Sequence, residues 1–369
     1  MKQNSDKNVR IVVYTLFMVM LGIFLAYGVI YKFPSIFQET ITKIEKDVTV
    51  TDEGIADAVE KVYDSVVIIS TYKEDNLYSS GSGFVYKVDD SNSYIITNHH
   101  VIASGDSFKV SYTDGDVLEA ECLGSDPYAD IAVLKVKTKE NVYAVELGST
   151  EKLRVGDTTF TVGAPLDDAY SWTVTRGIIS GKERLVEVAV NANDSNYVMN
   201  VLQTDAAVNS GNSGGPLSNS NGEVIGVISA KISSTGVEGI GFAIPIETAV
   251  ERSEQIINGE SSEYPYLGVS MYNVVDALSD PRYYQKLKDL ENTNGVLVAD
   301  VQGGSPADKA KIQSGDVIIK INDTPVNNVA YLRYELYKHN VGDTIKVTYI
   351  RGGKQETVSV KLSSAAQNS

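Results

Sequence analysis

The feature of this sequence that most restricts its fold is a series of short β-branched runs between residues 55 and 245. Runs rich in Val, Ile, Thr, Phe and Tyr favour strands, and the Gly, Asn, Asp and Ser clusters between them favour turns. Many short strands without intervening helices predict one or two antiparallel barrels, so the expected fold class is mainly β. The runs are SVVIIST, GSGFVYKV, SYIIT, FKVSYT, IAVLKV, TTFTVGA, RGIIS and EVIGVISA.

A smaller unit follows the β-rich region. The segment from Ile246 to Glu260 has the apolar spacing of an amphipathic helix and ends near Gly259, which indicates a domain boundary. Strand-like runs resume after Tyr264, and Val329–Asn340 is the clearest helix of this second unit, which we expect to be a small α/β domain. The predicted bounds are 55–250 for the first domain, 251–263 for a linker, 264–363 for the second domain and 364–369 for a tail.

The amino-terminal segment predicts a membrane anchor. From Ile11 to Tyr31 there is no charged residue over 21 positions. At roughly 1.5 Å per residue, such a helix spans about 30 Å, the thickness of the hydrocarbon core of a bilayer. Basic residues precede the run, and because they favour the cytoplasmic side, we expect the rest of the chain to lie outside the cytoplasm. A cleaved signal peptide is the alternative, since Ala26-Tyr27-Gly28 resembles a cleavage site. The predicted bounds are 1–10 for a cytoplasmic tail, 11–31 for a single transmembrane helix and 32–54 for a juxtamembrane stalk.

The charge and the scarcity of ligand residues exclude several kinds of function. The net charge of −16 argues against nucleic-acid binding, which needs a basic surface. Cys122 is the only cysteine, so no intrachain disulfide can form, and its apolar context is typical of a small core residue. With three histidines, one cysteine and no zinc-type spacing, the sequence predicts no metal site.

The segment TDAAVNSGNSGGPL (Thr204–Leu217) concentrates small, flexible residues around Ser213. Taken alone, such a segment is more often a turn than an active site. A serine hydroxyl becomes a good nucleophile only when a base takes its proton and a third group orients that base. Three histidines and two aspartates of the β-rich region and the second domain are the candidates, namely His99, His100, His339, Asp126 and Asp130. His100 and Asp130 precede the serine within one β-rich region, which gives the chain order His, Asp, Ser.

The motifs TNHHV, DPYADIAVLKV, TDAAVNSGNSGGPL and GIGFAIP resemble those of the HtrA (DegP/DegS) serine proteases over about residues 55–362. The resemblance implies a chymotrypsin-like double β-barrel. It implies that His100 is the general base, that Asp130 orients it and that Ser213 is the nucleophile. Backbone N–H groups of the segment Gly211, Asn212 and Ser213 would then form the oxyanion hole, because glycines let the chain direct its amides at a developing negative charge.

Substrate preference is predicted from the residues around this segment. The position six residues before the serine, which is charged in trypsin-like pockets, is Ala207. With Val208, Ile240 and Phe242 it would line an apolar S1 pocket, so we expect broad cleavage after small or medium aliphatic residues. The loop VGAPLDDAYSWTVTRGIIS departs from the family pattern.

The second domain resembles the PDZ domain of the same family. Its YLGV segment (Tyr266, Leu267, Gly268 and Val269) would bind the C-terminal carboxylate of a peptide that adds as an extra strand. Arg184 lies where the family has an arginine that transmits ligand binding to the active site. An exposed loop arginine without such a role is the alternative.

Together these patterns predict a membrane-anchored, extracytoplasmic serine endopeptidase regulated by its PDZ domain. The resemblance implies a homotrimer that cleaves misfolded or exported proteins, and no cofactor. Two alternatives stay open from the sequence. One is a PDZ-based chaperone or binding protein, and the other is a signalling protease that cuts one membrane-bound regulator.

Overall fold

A computed structural model describes residues 2–32, 53–164, 172–188, 197–232, 239–260, 263–290 and 294–364 of the chain. Most of the predicted stalk and the predicted C-terminal tail, residues 33–52 and 365–369, lie outside the described residues. The chain divides into two compact units, Met1–Asp52 and Glu53–Ser369.

The first unit contains one described helix. Helix α1 spans Lys2–Lys32, so it also includes most of the predicted cytoplasmic tail. Its large apolar side chains are exposed from Val12 to Tyr27. Among the helices that the structure describes, none meets the combined length and hydropathy needed to cross a membrane.

The β-rich region forms two closed six-stranded barrels, which confirms the predicted mainly β fold. The first barrel closes in the order β1-β2-β3-β6-β5-β4, and its strands are β1 (Val66–Lys73), β2 (Asn76–Val88), β3 (Asn92–Thr97), β4 (Ser107–Ser111), β5 (Val117–Asp126) and β6 (Ile131–Lys137). The second closes in the order β10-β11-β12-β9-β8-β7, and its strands are β7 (Thr158–Gly163), β8 (Thr173–Val188), β9 (Tyr197–Thr204), β10 (Pro216–Asn219), β11 (Val224–Ile228) and β12 (Gly241–Pro245).

One hydrophobic core joins the two barrels. Phe84 of the first barrel and Phe160 of the second are fully buried in the same cluster. Helix α2 (Glu53–Tyr63) adds Ala58 and Val62 to it. The sequence prediction had not placed a helix here; these two residues lie four positions apart, so they share one helical face that packs onto the barrels.

Two further helices belong to the first domain. The short helix α3 (His99–Ile102) follows β3, and α4 (Ile246–Ile257) follows β12. Helix α4 buries Ile246, Ala249 and Ile256, which is the predicted amphipathic pattern, but it ends before Glu260. Because α4 packs against the barrels, it extends the first domain into the predicted linker.

The second domain is a small sheet with helices. Strands β14 (Val269–Asn273), β15 (Val296–Val301), β16 (Val317–Ile321), β18 (Thr344–Arg351) and β19 (Lys354–Lys361) pair in the order β14-β15-β16-β18-β19. The short strand β17 (Thr324–Pro325) pairs with β16, and β13 (Pro265–Tyr266) pairs with β20 (Ser363–Ser364). The helices are α5 (Val274–Ala277), α6 (Pro281–Leu287), α7 (Pro306–Lys309) and α8 (Val329–Tyr337), with a 3₁₀ turn at Lys288–Leu290.

Helix α8 connects the two domains of the second unit. It buries Leu332 and Leu336 in the core of the small domain. It also contacts β9 of the second barrel. The small domain is therefore packed against the barrel domain through the helix that flanks β14.

Candidate active site

His100 and Asp130 are held together by three contacts. The Nδ1 atom of His100 lies 2.9 Å from both carboxylate oxygens of Asp130. The backbone N–H of His100 also donates to Oδ1 of Asp130, at 3.1 Å. Because a carboxylate only accepts, this geometry places the imidazole proton on Nδ1 and leaves Nε2 free to act as a base.

Asp130 is fixed in an unusual backbone conformation just before β6. Its φ of +53° lies in the left-handed region, which Asp tolerates better than most residues, and its side chain is 3% exposed. Asn98 donates to its carbonyl at 2.9 Å. Upstream, the buried carboxylate of Asp126 accepts from the N–H groups of Tyr128 and Ala129, which closes the turn that leads to Asp130.

Ser213 lies between β9 and β10, almost fully buried at 5% exposure. Its hydroxyl oxygen accepts from the N–H of Ala230 at 3.1 Å. The neighbouring Ser229 donates through its hydroxyl to Oδ2 of Asp130 at 2.9 Å. The structure thus brings His100, Asp130 and Ser213 into one hydrogen-bonded region, although Ser213 reaches it through adjacent residues.

The imidazole of His100 and the hydroxyl of Ser213 are not hydrogen-bonded to each other in this structure. Among the described residues, no hydrogen bond joins Nε2 of His100 to Oγ of Ser213. The hydroxyl oxygen of Ser213 is bonded instead to the N–H of Ala230.

The loop around Ser213 is held through its carbonyl groups. Ser82 donates through its hydroxyl to the carbonyl of Gly211 at 2.6 Å, and through its N–H to the carbonyl of Ser213 at 2.8 Å. Gly211 has φ of +101°, a conformation that favours glycine. The side chain of Asn212 donates to the carbonyl of Ala207 at 3.3 Å, and its backbone N–H donates to the carbonyl of Asn209 at 3.0 Å. Of the three predicted oxyanion-hole amides, that of Asn212 is therefore already bonded within the loop.

The predicted S1 residues lie on both sides of the loop. Ala207 is exposed, and Val208 is half-buried against the core of the second barrel. Ile240 is 40% exposed, while Phe242 packs against the core shared by the barrels. A Cβ added to Gly241 would lie 2.6 Å from Cγ2 of Val208, so these two segments are in close contact. Residues 233–238, between β11 and β12, lie outside the described part of the chain.

The other candidate side chains have different surroundings. His99 makes a 2.8 Å hydrogen bond with Ser125, and burial lowers its pKa. His339 lies in the small domain beside Asn322. Cys122 is half-buried, and burial raises the pKa of its thiol, which disfavours a nucleophilic thiolate. In the part of the chain that the structure describes, no group of three or more His, Cys, Asp or Glu residues is placed to hold a metal ion.

Sequence reasoning missed Ser82, Ser229 and Ala230. Ser229 and Ala230 end the EVIGVISA run, and Ser82 lies within GSGFVYKV. Both runs read as strands, and nothing in a strand pattern distinguishes a serine that contacts a loop far along the chain.

The predicted carboxylate-binding loop has fixed peptide planes. The carbonyl of Leu267 accepts from the N–H of Ala307 at 3.0 Å, and that of Gly268 accepts from Gln302 at 2.9 Å. Within a trans peptide, C=O and N–H point in opposite directions. The N–H groups of Gly268 and Val269 therefore point away from these contacts. Tyr266 precedes them and bonds through its hydroxyl to the side chain of Gln302.

Arg184 lies on β8 and is exposed. Its Nε donates to the side-chain oxygen of Gln203 on β9 at 3.2 Å. On the same strand, Glu187 accepts from Asn328, the residue that caps α8, at 2.7 Å. Arg184 therefore lies on the same strand as Glu187, which contacts the small domain directly.

Two closed barrels, a His–Asp pair and a serine on a glycine-rich loop define a trypsin-like serine endopeptidase. Comparisons with known proteins agree. Residues 81–227 match the model of the trypsin-like peptidase domain, and residues 265–362 match that of the PDZ domain.

Two curated relatives and one solved structure are similar over most of the chain. The serine protease Do-like HtrA of Bacillus subtilis is 40% identical over 298 residues, which cover 79% of this chain and 65% of the relative. The serine protease Do-like HtrA of Lactococcus lactis subsp. cremoris is 35% identical over 357 residues, which cover 89% of this chain and 87% of the relative. The structure of the HtrA-type protease AlgW with decapeptide has a TM-score of 0.64 and 30% identity, and the match covers 84% of this chain and 98% of that one. The chain belongs to the HtrA family of serine proteases.

Proposed function

We propose that Ser213 attacks the peptide bond, that His100 takes and returns the proton, and that Asp130 orients His100. The observation that carries this proposal is the 2.9 Å contact of Nδ1 of His100 with both oxygens of a buried carboxylate. A carboxylate in this position holds the reactive tautomer of the imidazole and stabilises its charged form. The proton of Ser213 then moves to Nε2 during attack and from there to the leaving amine.

We place the oxyanion hole at the amides of Gly211 and Ser213. Their loop is held by hydrogen bonds to its carbonyl groups, which orients the intervening peptides before substrate arrives. Preoriented amides stabilise the negative oxygen of the tetrahedral intermediate, and the loss of one typically costs about 3 kcal/mol of transition-state stabilisation.

The nucleophile is tested with a fluorophosphonate, which forms a covalent bond with an activated serine. We expect the wild-type chain to be labelled at Ser213, a Ser213→Ala variant to be unlabelled, and the exposed-site control Ser220→Ala to be labelled like wild type. A wild-type chain that neither reacts nor hydrolyses peptides would contradict the proposal and favour the chaperone alternative.

We infer cleavage after small or medium aliphatic residues. Ala207, Val208, Ile240 and Phe242 carry no charge that would select Lys or Arg, and their segments meet beside the Ser213 loop. Since one methylene changes selectivity by only about 1–3 kcal/mol, the preference should be broad. A peptide library cut by the wild-type chain measures it; a preference for Lys or Arg would contradict the inference.

We propose that the chain is anchored in the cell membrane with its catalytic domain outside the cytoplasm. The support is the uncharged segment Ile11–Tyr31, which begins just after the basic residues Lys7 and Arg10. Its apolar side chains lie on a helix and are exposed from Val12 to Tyr27. Membrane fractionation of the full chain, beside a chain that starts at Lys32, tests this placement.

We propose that misfolded or exported proteins are the substrates and that their C-termini bind the PDZ domain. The fixed loop Tyr266–Val269, whose amides point away from its own hydrogen bonds, supports a carboxylate site. One dedicated membrane-bound regulator is the alternative substrate. Trapping with the Ser213→Ala variant separates them, since a quality-control protease retains many proteins and a signalling protease one.

We propose that ligand binding to the PDZ domain regulates the protease, and that the family's homotrimer is its assembly. Asn328 at the start of α8 contacts Glu187 on the strand that carries Arg184, which supports a role for Arg184 in this regulation. Peptide-stimulated turnover that is unchanged in an Arg184→Ala variant would remove Arg184 from the proposal. Light scattering of the purified protein tests the trimer.

A further inference from the structure

Ser82 is a fully buried serine on β2 of the first barrel, far in sequence from the loop that carries Ser213. It lies between Gly81 and Gly83. Its position in the ladder is fixed by pairing with Ile68 of β1. Hydrogen-bond partners stabilise a hydroxyl in such a place, because an unpaired buried polar group is costly.

All the partners of Ser82 outside its own ladder lie next to the candidate active site. Its hydroxyl donates to the carbonyl of Gly211 at 2.6 Å and accepts from the N–H of Ala164 at 3.2 Å. Its N–H donates to the carbonyl of Ser213 at 2.8 Å, and its carbonyl accepts from the hydroxyl of Thr97 at 2.7 Å. One residue of the first barrel thus holds two carbonyls of a loop that belongs to the second barrel.

These two carbonyls determine how the neighbouring amides point. The carbonyl of Gly211 belongs to the peptide between Gly211 and Asn212. The peptide before it carries the N–H of Gly211, and the peptide after it carries the N–H of Ser213. The carbonyl of Ser213 belongs to the next peptide along the chain. Peptides are planar, so fixing those on either side of the Ser213 N–H leaves little freedom for its direction.

The loop packs closely against β2 and its surroundings at three glycines. A Cβ added to Gly214 would lie 2.1 Å from the carbonyl oxygen of Ser82, and one added to Gly163 would lie 2.9 Å from its hydroxyl oxygen. A Cβ on Gly81 would lie 3.1 Å from the carbonyl oxygen of Ser213. Among the described residues, the hydrogen-bond donor that the structure shows for the Gly211 carbonyl is the Ser82 hydroxyl.

We infer that Ser82 is a positioning residue for the oxyanion hole, acting through its hydroxyl on the carbonyl of Gly211. This inference rests on the proposed function, since it assumes that the amides of Gly211 and Ser213 stabilise the transition state. Without the hydroxyl, the Gly211 carbonyl and the Ala164 N–H are left buried without a partner, and the loop relaxes to satisfy them. The amides are then less well oriented when the negative oxygen forms, while substrate in its ground state is bound as before.

The test compares Ser82→Ala with Ser93→Ala. Ser93 is also a fully buried serine of the first barrel, and among the described residues its hydroxyl has no hydrogen-bond partner. For Ser82→Ala we expect kcat to fall about 10- to 100-fold, less than the 10²- to 10³-fold loss typical when a donor itself is removed. We expect KM and the pH at which the rate is half-maximal to stay unchanged, and Ser93→Ala to match wild type.

A peptide boronic acid gives a second readout, because its tetrahedral adduct on a serine places a negative oxygen in the oxyanion hole. Its affinity for Ser82→Ala should fall by about the same factor as kcat/KM. A purely structural role for Ser82 would instead lower the amount of active enzyme, so rates are divided by the concentration of sites titrated with the fluorophosphonate. Equal kcat and equal boronate affinity in wild type and Ser82→Ala would overturn the inference.

Two further comparisons keep the test decisive. If Ser82→Ala does not fold, Ser82→Cys retains a weak donor of similar size, and a lower kcat at unchanged KM supports the inference while wild-type kcat overturns it. If wild type is inactive, or Ser213→Ala is as active as wild type, it is the proposed function that fails. If wild type is active, Ser213→Ala is inactive and Ser82→Ala equals wild type, only the role of Ser82 fails.

Discussion

At the residue scale, the glycines after Ser213 are required by close contact as much as by backbone conformation. Gly214 has φ of +84°, and a Cβ there would lie 2.1 Å from the carbonyl oxygen of Ser82 and 2.3 Å from Oγ1 of Thr97. Gly115, on a hairpin of the first barrel, has a similar φ of +90° but no heavy atom within 4 Å of an added Cβ. Substitutions at Gly115 and Gly214 therefore distinguish the cost of a strained backbone conformation from the cost of a steric clash.

We expect Gly115→Ala to lower the free energy of unfolding by about 1–2 kcal/mol, the cost of a left-handed conformation for a residue with a Cβ. Gly214→Ala should cost clearly more and should also reduce peptide hydrolysis, because the clash pushes the loop away from β2. Urea denaturation and steady-state kinetics of both variants measure this. Equal losses of stability, with full activity in Gly214→Ala, would show that the loop adapts without consequence.

The triad candidates were predictable from the sequence because their motifs are local, whereas the residues that support them were not. Ser82 contacts Gly211 across 129 positions of sequence, and Ser229 contacts Asp130 across 99. A serine within a strand has no local feature that reports a distant partner. Its role follows only from how the two barrels meet.

At the element scale, each run predicted in the barrel domain lies in or overlaps a strand, because β-branched runs between turn residues have few alternatives. Strands β5, β9, β10 and β12 were not among the predicted runs. Helix α2 was missed although Ile55, Ala58, Val59 and Val62 have the spacing of one helical face, because the predicted β-rich region was extended back to residue 55. Helix α8 was predicted, but it ends at Tyr337, three residues before the expected Asn340. Helix ends depend on capping and tertiary contacts that a periodic pattern does not contain.

Helix α8 also joins the PDZ domain to the loop that carries Asp130. The ring of Tyr337 on α8 lies 5.2 Å from that of Tyr128, which in turn lies 4.9 Å from Tyr264. Tyr264 donates to the buried Asp126 at 2.5 Å, and burial, together with the charge of Asp126 and this bond, raises the pKa of the Tyr264 hydroxyl. These rings border a cavity of about 170 Å³ between the domains. Tyr128 lies two residues before Asp130, so a peptide that displaces α8 would disturb the chain next to Asp130.

We expect a Tyr337→Ala variant to weaken the effect of PDZ ligands on proteolysis. A peptide with an apolar C-terminus should change kcat/KM of wild type severalfold, and the change should be reduced in Tyr337→Ala because the ring contact with Tyr128 is lost. Tyr284→Ala is the control, since Tyr284 is an exposed tyrosine of the same domain, 43% accessible. Peptide titrations of the three proteins measure the effect. An unchanged response in Tyr337→Ala would exclude this route.

At the scale of the whole molecule, neither barrel contains a complete site. The first barrel supplies His100 and Asp130, and the second supplies Ser213 and Ser229. The shared core of Phe84 and Phe160 fixes one barrel against the other. The strand pattern predicted one or two barrels and the family resemblance implied two, but neither could predict that Ser82 of the first barrel holds the loop of the second.

The central claim is that His100, Asp130 and Ser213 act as one unit, and the most direct measurement of it is a double-mutant comparison of kcat. Residues that act together in one step are grossly non-additive, so removing a second costs little once the first is gone. We expect Ser213→Ala and His100→Ala each to lower kcat on the order of 10⁶-fold, and the double variant to be no slower than either. A His100→Ala variant that retains most of the wild-type rate, or a double variant whose loss is the product of the two single losses, would contradict the account.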